Sequence, residues 1–70
     1  MADYYPLISR AVANLGPSTP EQRRDLYARA TNALIGQLRN SDPPITEADI
    51  TRERLSLEDA IGRVETEVPG

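Results

Sequence analysis

A chain of 70 residues with a net charge of −3 forms at most one small domain, and its core buries only a modest share of the surface. It has no Cys and no His, which excludes disulfides, Cys- or His-based nucleophilic catalysis and the commonest metal-binding side chain. Regular helix packing or association with another chain must therefore supply the stability.

The only aromatic residues are Tyr4, Tyr5 and Tyr27. All eight basic residues are Arg, a bias that GC-rich coding explains without invoking function. The negative balance argues against a nucleic-acid partner. The opening Met1-Ala2-Asp3-Tyr4-Tyr5-Pro6 lacks the basic and apolar regions of a secretory signal. No apolar run approaches the ~20 residues of a membrane span. The absence of Cys fits a reducing compartment. The expectation is a cytoplasmic protein with no cofactor.

The first helix is expected over about Tyr4–Leu15. Asp3 is placed to cap it, and Pro6 lies in the first turn, where a missing N–H does no harm. Gly16-Pro17 ends it, since Gly suits the conformation after a helix and Pro cannot continue one. Tyr5, Ile8, Val12 and Leu15 form its apolar row, widened by Leu7 and Ala11.

The second helix is expected to start at Thr19-Pro20-Glu21-Gln22 and run to about Arg39. Thr19 caps, Pro20 takes the first helical position and Gln22 completes a capping box. Leu26, Tyr27, Ala30, Ala33, Leu34 and Leu38 share its apolar face. After Asn40-Ser41-Asp42-Pro43-Pro44 the third helix is expected over Glu47 to about Val68, with Pro69-Gly70 as its stop. Thr46 caps, Asp49 answers from the third helical position and Ile45 staples onto Ile50. Its stripe is Ile50, Leu57, Ile61, Val64 and Val68, a ladder interrupted only by Arg54. The short connection favours an antiparallel hairpin of the two long helices. No stretch alternates apolar and polar residues as a strand would.

Charge differs between the long helices. The second carries Arg23, Arg24, Arg29 and Arg39 against Glu21 and Asp25, a balance of +2. The third carries Glu47, Asp49, Glu53, Glu58, Asp59, Glu65 and Glu67 against Arg52, Arg54 and Arg63, a balance of −4. The rims of a hairpin would attract, and Asp25–Arg29 and Asp59–Arg63 are spaced for pairs along one helix.

Arg54 stands on an apolar rung, so it either snorkels outward or meets a carboxylate on a partner helix and fixes register. Ile35 and Leu55 point away from the apolar faces of their helices, and Ala48 and Gly62 flank Leu55 at seven-residue spacing. Ile35, Arg54 and Leu55 are therefore the candidate interaction surface.

No phosphate loop, nucleophile elbow, zinc spacing or EF-hand loop is present. The pairs Asp49/Glu53 and Glu21/Asp25 could share a helix face, but the His of a Glu-x-x-His di-metal site is missing. Tyr4 and Tyr5 are expected to close one end of the core with their hydroxyls in water. Arg23-Arg24 is a weak phosphate-binding signal in an acidic chain.

The opening Met1–Val12, the segment Arg24-Asp25-Leu26-Tyr27-Ala28-Arg29-Ala30 and the stretch Ser41–Ile61 around Asp49-Ile50-Thr51-Arg52-Glu53-Arg54-Leu55 resemble a family of uncharacterised bacterial proteins. The likeness covers nearly the whole chain. It implies a short N-terminal helical segment, sometimes followed by a longer variable region, and it brings no activity and no catalytic residue. Residues 1–70 would then be a single helical domain and the N-terminal module of a longer protein.

Taken together, these features predict an all-α fold of three helices, a long antiparallel hairpin (about 20–39 and 47–68) with a shorter helix (about 4–15) packed on it. The expected function is a non-enzymatic interaction or oligomerisation module, a homodimer or a binder of another helical protein. One alternative is a small nucleic-acid-binding regulator using the Arg-bearing second helix. Another is a metal- or ligand-dependent enzyme fragment, which would need the carboxylates to converge.

Overall fold

The computed structural model describes residues 3–68, and these form an all-α arrangement of α1 (Tyr5–Leu15), α2 (Pro20–Arg39) and α3 (Glu47–Glu67). The expected stop at Pro69-Gly70 lies outside the described residues. The helix boundaries follow from local chemistry. At α2 the Thr19 hydroxyl accepts from the Gln22 amide at 3.1 Å, and the Thr19 amide donates to the Gln22 side chain at 2.9 Å, a complete capping box. At α3 the Thr46 hydroxyl accepts from the Asp49 amide at 3.1 Å. The reciprocal half is not made, because Asp49 instead accepts from Arg52 at 3.2 Å. At α1 the Asp3 carboxylate accepts from the Tyr5 amide at 3.1 Å, and Tyr4 occupies the cap position. Gly16 closes α1 at φ +66°, a value that costs Gly little and that other residues rarely adopt.

Two ion pairs fix the direction of the long hairpin. Arg39 meets Glu47 next to the turn, and Arg23 meets Glu65 at the far end. Stepping back along α2 therefore moves forward along α3, so the two run antiparallel. The start of α1 lies beside Arg52–Ala60 of α3, and its end lies beside Val64–Val68. Hence α1 runs the same way as α3, giving an up-down-up order with α3 as the shared element. Contacts between α1 and α2 are sparse by comparison.

The core is a short column at one end of this rod. Ile8, Leu57, Ala60 and Val64 are buried and in mutual contact, and Tyr4, Tyr5, Val12, Tyr27, Ala30, Leu34, Ile61 and Val68 pack around them. The chain measures 41 × 17 × 16 Å, and a rod this thin has no deep interior, which is why so few apolar side chains are fully covered. With 11 residues against 20 and 21, α1 covers only about half the length of the hairpin. Beyond it, Ile50 on α3 is buried, and Leu38 and Ile45 are half-buried.

Several expectations are corrected. Ala60, not Ile61, is buried on α3, so the inner ladder reads Ile50, Glu53, Leu57, Ala60, Val64. That 3-4-3-4 spacing runs through Glu53 and puts Arg54 on the exposed rim, where its charge stays in water. On α2 the inner row is Arg23, Tyr27, Ala30 and Leu34, while Ala33 is exposed. Leu15, expected in the core, is 40% exposed, because it is the last residue of α1. Neither Asp25–Arg29 nor Asp59–Arg63 forms among the described residues, where the ion pairs are Arg23–Glu65, Arg39–Glu47 and Arg52–Asp49.

Candidate interaction surface

The polar side chains at the helix seams are occupied by one another. Arg23, only 8% exposed, donates from Nε to Glu65 Oε2 at 2.8 Å and from Nη1 to the Ser18 carbonyl at 3.0 Å. The Tyr27 hydroxyl donates to the same Glu65 carboxylate. One carboxylate on α3 thus holds two side chains of α2 and, through Ser18, the α1–α2 connection. On the other flank of α3 the Tyr4 hydroxyl donates to Glu53 at 2.8 Å and the Tyr5 hydroxyl to Glu67. The Arg63 guanidinium carbon lies 4.5 Å from the centre of the Tyr5 ring, a cation–π contact that replaces the pair expected with Asp59. The two tyrosines therefore act as polar clasps between α1 and α3, not as a lid with free hydroxyls.

This arrangement removes residues from the surface functions suggested by composition. Arg23 is withdrawn from any phosphate-binding face and Arg39 is held by Glu47. Asp49 is tied to Arg52 and Glu53 to Tyr4. No group of three or more potential metal-binding side chains converges among the described residues. No helix among them is long and apolar enough to cross a membrane.

The seams also shift proton affinities. The Tyr27 hydroxyl is pushed up from 10.0 to about 12, first by burial and then by donation to Glu65, and Tyr4 is pushed up to about 12 by burial and by donation to Glu53. Glu65 is held below its ordinary 4.5, first by the Tyr27 hydroxyl and then by Arg23. A depressed carboxylate stabilises the fold above its ordinary value, and that contribution is lost as pH falls through the folded-state value. A raised phenol stabilises the fold below its ordinary value, and that contribution is lost as pH rises through the folded-state value. The melting temperature should accordingly be flat between pH 4.5 and pH 10.0 as far as these groups are concerned, and fall on both sides. Phenolate formation followed by ultraviolet absorbance should show Tyr5, also raised by its bond to Glu67, and its two fellows all titrating above 10.0. Three phenols titrating together at the ordinary value would contradict the seam geometry.

What remains open is the third side of α3. Tyr4, Tyr5 and Arg63 mark the flank taken by α1, and Glu65 marks the flank taken by α2. Leu55 lies nine residues from the buried Val64, which at about 100° per residue is the opposite side of the helix. It is 54% exposed and borders a shallow hollow of about 460 Å³ with Tyr4, Arg52, Ser56, Asp59 and Ala60. Arg54 is exposed on the α2 side of the same helix. Ile35 is half-buried on α2, so the fold itself already covers part of it. Of the three surface residues read from sequence, Arg54 and Leu55 are thus exposed and Ile35 is half-buried. A second hollow, about 640 Å³, lies where α1 and α3 end, lined by Val12, Ala13, Gly16, Pro17, Val64 and Val68. Leu7, beside the buried Ile8, is 62% exposed.

Comparison of the chain with protein-family models, with curated proteins and with solved structures gave no match.

Proposed function

We propose that this chain is a non-enzymatic interaction module that associates with a second copy of itself. The observation that carries the reading is the division of α3: two of its sides are used inside the chain, and the third presents Leu55 to solvent. An exposed apolar side chain alone needs no explanation. Here it stands on the central helix of a domain too small for a large core, half of whose hairpin has no third helix beside it. Association would cover that side and supply the missing burial. The seam chemistry supports the same reading, because Arg23, Glu53, Glu65 and Glu67 are engaged in holding helices together. A nucleic-acid regulator would need those arginines on a basic face, and Arg23 is not available to it. An enzyme would need converging polar groups, whereas Glu53 is already engaged by the Tyr4 hydroxyl.

The test is Leu55→Asp. It should leave helicity by circular dichroism unchanged and abolish the concentration dependence of the melting temperature that association gives the wild type. If the variant instead loses helicity, Leu55 serves the monomer core and the reading is wrong.

A further inference from the structure

The geometry points to a specific contact: two copies pair through the outward side of α3, antiparallel, with Leu55 on the two-fold axis. This inference rests on the self-association reading above and adds its face and register.

A two-fold axis perpendicular to two antiparallel helices brings residues on one flank of the contact against residues on the same flank of the other copy. With Leu55 on the axis, Arg52 lies three residues to one side, about 4.5 Å, and Asp59 four residues to the other, about 6 Å, at the ~1.5 Å rise of a helix. Both lie on the flank nearer α1, bordering the hollow that Leu55 also lines. Arg52 therefore comes level with the partner's Asp59 to within about 1.5 Å, and Asp59 with the partner's Arg52. On the opposite flank the same operation sets Thr51 against the partner's Glu58, a hydroxyl donor facing a carboxylate. Arg54 is exposed four residues before Glu58 on the same helix. The register thus produces opposite charges twice on one flank and donor–acceptor pairs twice on the other, with no like charges in direct opposition.

Steric features agree with the charges. Ala48, Thr51, Leu55, Glu58, Asp59 and Gly62 are all exposed. Ala48 and Gly62 are each seven residues from Leu55, so the same axis places Ala48 against the partner's Gly62 and lets the backbones approach closely. A Cβ added at Gly62 would meet nothing within 4 Å inside the chain, so any packing at that site has to come from outside it. Asp59 has no ion-pair partner among the described residues. Arg52 is held only by an exposed contact to Asp49 at 3.2 Å, a kind of pair that yields readily to a better one.

The test uses the full chain, whose lack of Cys makes single-Cys variants clean reporters. Leu55→Cys should form a disulfide-linked dimer on mild oxidation far faster than Arg29→Cys, an exposed control on α2. In sedimentation, Arg52→Glu and Asp59→Arg should each weaken association by about tenfold, and the double exchange should recover it. If the wild type is dimeric but Leu55→Cys cross-links no faster than the control and the charge exchanges have no effect, the register is wrong and the association reading stands. If the wild type sediments as a single chain throughout, both fall.

Discussion

Leu57→Asp should unfold the domain. Leu57 is 2% exposed and sits where α3 meets both other helices, in contact with Ile8, Ala60 and Val64. An aspartate there would lose the packing of the leucine and bury a carboxylate with no cation beside it. Truncating a buried leucine alone costs about 2–5 kcal/mol, and the unpaired charge adds to that. A domain of this length has a total stability of roughly 4–10 kcal/mol at the usual ~0.05–0.15 kcal/mol per residue. The sum reaches or exceeds what the fold has, so circular dichroism should show loss of helix at room temperature. The contrast with Leu55→Asp is informative, because the two residues lie two positions apart on one helix. Equal loss of helix in both would show that the facing of α3 is misassigned.

Ile8→Ala should have the second-largest effect, and of a different kind. Ile8 is the most buried apolar side chain, at 1% exposure, and the only fully buried residue that α1 contributes. Removing three of its four side-chain carbons should cost about 2–5 kcal/mol. The loss falls on α1, which has few contacts with α2 and depends on α3 for its docking. The Tyr4–Glu53 and Tyr5–Glu67 clasps are then left to hold a helix whose apolar anchor is gone. Amide hydrogen exchange should show protection lost first over Tyr5–Leu15, with α2 and α3 retaining part of theirs through the Arg23–Glu65 and Arg39–Glu47 pairs. Uniform loss across all three helices would mean that α1 is not a separable element.

Helix ends were the most legible part of the sequence. Thr19 with Gln22, Thr46 and Gly16 each act through atoms within three residues of themselves, so their outcome depends on little else. Facing was harder. Ile61 is more apolar than Ala60, and a count of apolar residues puts it on the ladder. In the fold Ala60 joins Ile8, Leu57 and Val64 in the buried cluster, and Ile61 packs half-buried against it. Regular spacing from Ile50 through Glu53 to Leu57 could have exposed the error, because it trades an arginine for a carboxylate that a tyrosine hydroxyl can satisfy. The burial of Arg23 was signalled in the same way, by its place four residues before Tyr27 in the row that continues to Ala30 and Leu34. What no local pattern could supply was its partner Glu65, forty-two residues away. Of the three surface candidates, Leu55 and Arg54 are exposed, whereas Ile35 is half-buried, which a single-helix wheel does not show.

These observations describe a domain whose central helix is closed on two sides and open on the third. Sedimentation equilibrium of the unmodified chain across a wide concentration range addresses that open side directly. The mass should move toward twice the 7.7 kDa of one chain as concentration rises, and the melting temperature should climb with it. A mass of one chain at every concentration, with an unchanging melting temperature, would contradict it.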